Sequence, residues 1–355
     1  MASLEVEADD SPFTASDIAD CKKALAEWEE SKGSYWKFEV VPNQFKQSLA
    51  DTDDLLFLYF DEHFGVIGGW DEVVSNLRHL NKTAPETERY KILFIASSGH
   101  GYHDLAREKY GKAAWSNNWL KKNGDGTIVW GPDPLLTDLG ISQARKIRDQ
   151  WEVERLNNSA KDPNLIMPGE WVVSPLRRSI DTLIHTWDGL VDLEKANPFI
   201  SENLRETIGI NTCSKRSPRS EIFDSYHKLG FRNDELEAND IYYKDDYRET
   251  VVEHTLRINK ELQEIFFYKK DIISITSHSC SIRAQLLALG HRAFSVGTGG
   301  MIPVFVKATK IGEPEGEGEV LKEDWGPQVF IEYVENLASK EGIRYSEALE
   351  TVMAM

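Results

Sequence analysis

The sequence predicts an α/β fold with a mostly parallel central sheet, and three stretches of the chain predict it. Each is an apolar run that ends in small or polar residues and passes straight into a helix-forming segment. Lys91–Ser98 (KILFIASS) precedes Gly99, Gly101 and HDLAREKYGKAAW. Gly169–Pro175 (GEWVVSP) precedes LRRSIDTLIHTWDGLV, and Asp271–Ser279 (DIISITSHS) precedes CSIRAQLLALGH. Nearly continuous apolar runs suit parallel strands covered on both faces. Strands alternating with helices point to βαβ organisation, with the working edge at the carboxyl ends of the strands.

The remaining elements follow in order. SDIADCKKALAEWEESKG reads as a helix capped by Ser16 and ended by Gly33. Tyr35–Val41 reads as a strand. GGWDEVVSNLRHLNK supplies a helix with Trp70, Val73, Val74 and Leu77 at helical spacing. Met301–Lys310 (MIPVFVKATK) is a last strand, expected at a sheet edge because Pro303 lacks an N–H. Two stretches read as excursions. Residues 211–250 are polar and charged, as in a helical cap or long insertion, and residues 312–324 are acidic and glycine-rich, as in an exposed loop before a C-terminal helix. No linker poor in apolar residues divides the chain. Residues 1–33 are therefore expected as an acidic segment plus short helix, and residues 34–355 as one domain with an insertion at about 211–250.

Composition narrows the function classes. Of 355 residues, 41% are hydrophobic and 28% charged, which is an ordinary globular balance. A net charge of −18 opposes nucleic-acid or anionic-membrane partners through long-range repulsion. The three cysteines, Cys21, Cys213 and Cys280, are far apart and form no CxxC pair, so neither a disulfide framework nor a zinc site is expected. The first residues, MASLEVEADDSPF, carry acids where a secretory signal has basic residues, and no apolar run approaches a membrane span. A cytoplasmic protein acting on a small-molecule substrate, without a cofactor, is the expectation.

Polar residues collect at the strand ends. The first run delivers Ser97, Ser98, His100, His103 and Asp104; the second Ser174, Arg177 and Arg178; the third His278, Ser279, Cys280 and Arg283. The segment ENLRETIG adds Arg205 and Glu206. Histidines and arginines converging with a carboxylate are equipment for acid–base work on a polar or anionic substrate.

Several ordered motifs, between about Tyr35 and Lys307, resemble the histidine phosphatase (phosphoglycerate mutase-like) superfamily in its fungal branch. They are KILFIAxxGxGYHxLAxxKYG, DPLLTDLGISQA, VSPLRRSIDT, ENLRETIG with CSKRSPRS, and SITSHSCSIRAQLLALG with VGTGGMIPV. The resemblance implies a three-layer α/β/α sandwich. It implies Arg178 as a phosphate-holding arginine, Glu206 as proton donor and His278 as the second histidine. The family's Arg-His-Gly run falls on Ser97-Ser98-Gly99, and its following asparagine on Asp104.

These departures oppose phosphohistidine chemistry. A serine hydroxyl lacks imidazole basicity, and no base for it is evident from the sequence. A bidentate clamp is lost with the arginine. A carboxylate at ~4 Å from a phosphoryl group would cost about 4 kcal/mol at an effective dielectric near 20. The leading expectation is therefore a repurposed enzyme using Glu206, His278, His100 and Asp104, with Arg178, His103, Ser98 and Ser97 holding substrate. Its reaction would be isomerisation, dehydration, epoxide opening or cyclisation of a small unphosphorylated molecule, as in fungal secondary metabolism. The alternatives are a non-catalytic protein that binds a ligand or partner, and a residual phosphatase using His100 or a metal-free hydroxyl route.

Overall fold

The computed structural model describes residues 13–158, 162–232, 236–312, 339–343 and 348. The acidic start up to residue 12, and the expected acidic loop from residue 313 on, lie outside them. The chain begins with α1 (Ala15–Ser31), β1 (Tyr35–Val40), α2 (Trp70–Thr83), β2 (Glu88–Ser97), α3 (Tyr102–Tyr110) and the single turn α4 (Lys112–Ala114). It continues with α5 (Asp138–Asn158), β3 (Glu170–Val173), α6 (Arg177–Trp187), the single turn α7 (Leu193–Ala196), β4 (Phe199–Ile200) and α8 (Arg219–Tyr226). It closes with α9 (Val251–Ile265), β5 (Ile272–Ser277), α10 (Ser279–Ala288) and β6 (Met301–Ile311).

Six strands form one sheet in the order β1-β6-β2-β5-β3-β4. The pairs β2/β5, β5/β3 and β3/β4 are parallel, whereas β6 runs antiparallel to both β1 and β2. The period-2 alternation of a strand divides the apolar side chains between two faces. Ile92 and Phe94 join Trp70, Val73, Val74 and Leu77 of α2, Trp151 of α5 and Leu183 of α6. Leu93 and Ile95 face the other way, onto Ile258 and Leu262 of α9 and Ile282 of α10. Helices cover both faces, which is the three-layer α/β/α sandwich. α1 lies on α9, where the Cys21 Sγ is 3.4 Å from the Thr255 Oγ1.

Two expectations need correction. Thr14, not Ser16, caps α1, through a reciprocal box with Asp17, and the helix stops at Ser31 ahead of Gly33. β6 is internal, not an edge. The Phe305 carbonyl accepts from the Val41 N–H on the β1 flank, so Pro303, two residues earlier, presents its nitrogen on that same flank. β1 pairs only from Val306 onward, so the missing N–H falls where no strand runs. Among the described residues of 211–250 lie the eight-residue helix α8 and two 3-10 turns, and the stretch is pinned by buried charge. Arg205 and Arg216 are fully buried, and Asp240 accepts from both Arg205 terminal nitrogens (2.8 and 2.6 Å) and from the Arg216 N–H (2.8 Å).

The β2–α3 turn is set by two glycines. A Cβ on Gly99 would come within 2.6 Å of the Gly140 carbonyl oxygen, and one on Gly140 would overlap the His100 carbonyl oxygen. Backbone therefore packs on backbone between this turn and the first turn of α5, which Thr137 caps. Gly140→Ala should cost about 1–3 kcal/mol, the range for overpacking. Its melting curve should shift down by several degrees, and an unchanged curve would show that the turn yields freely.

Candidate active site

Strand register assembles the site. Ser97 pairs with Ser277 in the parallel β2/β5 ladder, and the Ser98 N–H continues it to the Ser277 carbonyl (2.8 Å). Val173 pairs with Thr276, and the Ser174 N–H reaches the Thr276 carbonyl (2.9 Å). Ser98 and Ser174 therefore flank the next residue along β5, His278. Its ring lies between them: Nε2 is 2.8 Å from the Ser174 Oγ and 3.2 Å from the Ser179 Oγ, and Nδ1 is 3.4 Å from the Ser98 Oγ. Glu206 brings an Oε2 to 3.8 Å from the same Nδ1. Burial first, then the Arg178 charge, holds His278 well below the ordinary histidine range, so the ring is neutral at pH 7.

Arg178, in the first turn of α6, is fully buried. One terminal nitrogen donates to the Cys213 carbonyl (2.9 Å), while Nε and Nη2 receive no hydrogen-bond partner from the described residues. Its neighbour Arg177 is spent on Asp133, donating to that residue's carbonyl. From α3 come His103 and Asp104, whose Nε2 and Oδ1 are 3.0 Å apart, with Arg107 at 3.7 Å from the same carboxylate. The second Asp104 oxygen accepts the Gly101 N–H (2.7 Å) and so closes the start of α3. His103 is likewise held well below the usual range, by burial and then by Arg178 and Arg107.

Ser97, Ser98, His103, Asp104, Arg178 and Glu206 line one cleft of about 40 Å³. This is far below the 300–1,000 Å³ of ordinary small-molecule sites. A larger cavity, about 300 Å³, lies elsewhere, against Trp28, Phe199 and Tyr268, and none of these strand-end groups faces it. His100 is not among the cleft residues. Its ring is fixed between Thr137 (2.8 Å) and Glu108 (3.2 Å). Arg205, offered beside Glu206 by the sequence, serves the Asp240 network instead.

A protein from Arthroderma benhamiae described as "Probable phosphoglycerate mutase" is 34% identical over 309 residues, covering 80% of this chain and 88% of that protein. The chain belongs to the phosphoglycerate mutase-like histidine phosphatases. "Phosphomutase-like protein 3" of Candida albicans is 32% identical over 67% of this chain and 69% of its own length. "Probable phosphoglycerate mutase PMU1" of Saccharomyces cerevisiae is 30% identical over 76% of this chain and 93% of its own. No protein-family model matches the chain.

Three groups in or beside the cleft of this phosphoglycerate mutase-like chain went unread in the sequence. Arg107 lies four residues after His103, one helical turn on, and that spacing could have found it. Ser179 sits in the first turn of α6 beside Arg178. The exposed Arg248 lines the cleft from the polar stretch before α9, with no pattern to mark it. Among the described residues no group of three or more His, Cys, Asp or Glu is disposed to hold a metal ion, and no described helix is long and apolar enough to cross a membrane.

Proposed function

We propose that the cleft binds the phosphoryl group of a phosphorylated small molecule, in a site whose Ser97-Ser98 pair has replaced the superfamily's Arg-His. The observation that carries this is Arg178, a buried guanidinium with Nε and Nη2 left unmet by the described residues. A buried cation with unmade hydrogen bonds costs several kcal/mol. An anion with tetrahedral oxygens returns that cost, and a guanidinium fork suits it. The cleft's size supports a ligand group no larger than a phosphoryl, and the mutase names of the relatives support phosphoester chemistry.

Asp104 weighs less against this than its charge suggests. Its carboxylate is spent on the Gly101 N–H and sits beside Arg107. A ligand without acceptor oxygens would leave the Arg178 Nε and Nη2 unmatched.

A second reading is favoured by one distance. Glu206 and His278, 3.8 Å apart, form an acid–base pair fit for isomerising, dehydrating or cyclising an unphosphorylated molecule, or for opening an epoxide. Calorimetric titration with orthophosphate, tungstate and a phosphoester panel separates the two. The phosphoryl reading expects saturable binding at one site, and absence of saturable heat with every anion would contradict it.

A further inference from the structure

We propose that Ser98 is itself a nucleophile, activated by His278, so that this chain passes phosphoryl groups through a phosphoserine. The proposal rests on the phosphoryl reading of the cleft.

The sequence offered no base for this hydroxyl; the β2/β5 register supplies one. The Ser98 side chain is buried at the cleft wall, with its Oγ 3.4 Å from the His278 Nδ1. Catalytic hydrogen bonds are often this long before a ligand arrives. One neighbouring hydrogen bond favours the tautomer that this step needs. The Ser179 hydroxyl donates to the Ser277 carbonyl (3.3 Å), and the Ser174 Oγ accepts the Leu176 N–H (3.4 Å). The Ser179 oxygen, its own proton given to the Ser277 carbonyl, offers lone pairs to the His278 Nε2, and the ring proton sits there in the proposed step. That leaves the Nδ1 lone pair aimed at Ser98. A nucleophile, a base held by a third group and a buried anion clamp are thus within reach of one point.

The step balances without a further reactant. The Ser98 Oγ bonds to phosphorus as the ester P–O bond breaks, and the hydroxyl proton passes to the His278 Nδ1. The same proton goes on to the departing alkoxide, giving a free alcohol and phosphoserine. Glu206, 3.8 Å from Nδ1, steadies the transient imidazolium. Water then attacks phosphorus, gives its proton to Nδ1, and the Ser98 oxygen leaves with that proton as phosphate departs.

The test incubates the full chain with p-nitrophenyl phosphate and with acetyl phosphate, quenches in acid, and locates the added phosphoryl group by mass spectrometry. Acid-stable phosphate on Ser98 is expected, with p-nitrophenol released in step. Ser98→Ala should abolish both label and release while still binding tungstate. His278→Gln should slow labelling at least a hundredfold and remove the acid limb of its pH profile, which an inert structural residue would not do. Tungstate binding without a Ser98 label would overturn the nucleophile and leave the phosphoryl reading standing. A label on His100 would overturn it equally, and failure to bind tungstate at all would overturn both.

Discussion

Replacing Arg178 by methionine is expected to weaken phosphate and tungstate binding by about two orders of magnitude while leaving the melting temperature unchanged or raised. The two halves of this result share one cause. In the free protein the guanidinium is buried with Nε and Nη2 unmatched by the described residues, and only one bond, to the Cys213 carbonyl, repays its desolvation. Methionine fills similar volume without that burden, and replacing poorly compensated buried charge by apolar groups is often neutral or stabilising. The bound anion loses its charge-assisted fork, and truncating one partner of a buried charge pair costs roughly 2–5 kcal/mol, with 1.4 kcal/mol for each factor of ten. Calorimetry and a thermal melt on the same preparation read both halves. A large fall in melting temperature would make Arg178 a structural residue, and undiminished affinity would move the anion elsewhere.

Asp240→Ala carries the largest expected stability effect, about 3–5 kcal/mol, the cost of breaking a buried ion pair from one side. The Asp240 side chain is almost fully inaccessible and answers Arg205, Arg216 and the N–H groups of Tyr242 and Tyr243. Burial alone would push its pKa up, but Arg205 and Arg216 draw it below the unfolded value of 3.8. A carboxylate whose folded pKa is depressed contributes fully at neutral pH, and the contribution is lost only as the pH falls below about 4. Urea unfolding at pH 7 should show the loss, and wild type and variant should converge in acid. The same segment carries Cys213, whose carbonyl holds Arg178, so anion affinity should fall with stability. A variant as stable as wild type would mean that Glu202, which also faces Arg205, suffices alone.

The frame of the fold was legible because parallel strands covered on both faces leave a strong mark. KILFIASS, GEWVVSP and DIISITSHS are short apolar-rich runs that end in small or polar residues where helices must turn away. What depends on the reach of a neighbouring strand was not legible. Pro303 reads as an edge marker, and only the extent of β1 shows that an internal strand can carry it. The buried charge network was not legible either: Arg205 reads as a site residue, and the pairing of Arg205 and Arg216 with Asp240 spans 24 to 35 positions and has no local signature.

The candidate site divides in the same way. Arg178, His103, Asp104 and Glu206 lie at strand ends or motif positions, and the structure brings them to one cleft, with the buried His278 behind its wall against Ser98 and Glu206. Proximity in sequence put His100 with them, yet its ring turns to Thr137 and Glu108. That Ser98 has a base follows from the β2/β5 register, which no single strand reveals.

The most direct measurement is a crystal structure of the protein soaked in tungstate. The expected map places the metalate in the cleft, with oxygens within hydrogen-bond reach of the Arg178 Nε and Nη2 and close to Ser98 and His278. Tungstate bound only elsewhere, or a cleft that stays closed at saturating anion, would contradict the phosphoryl site.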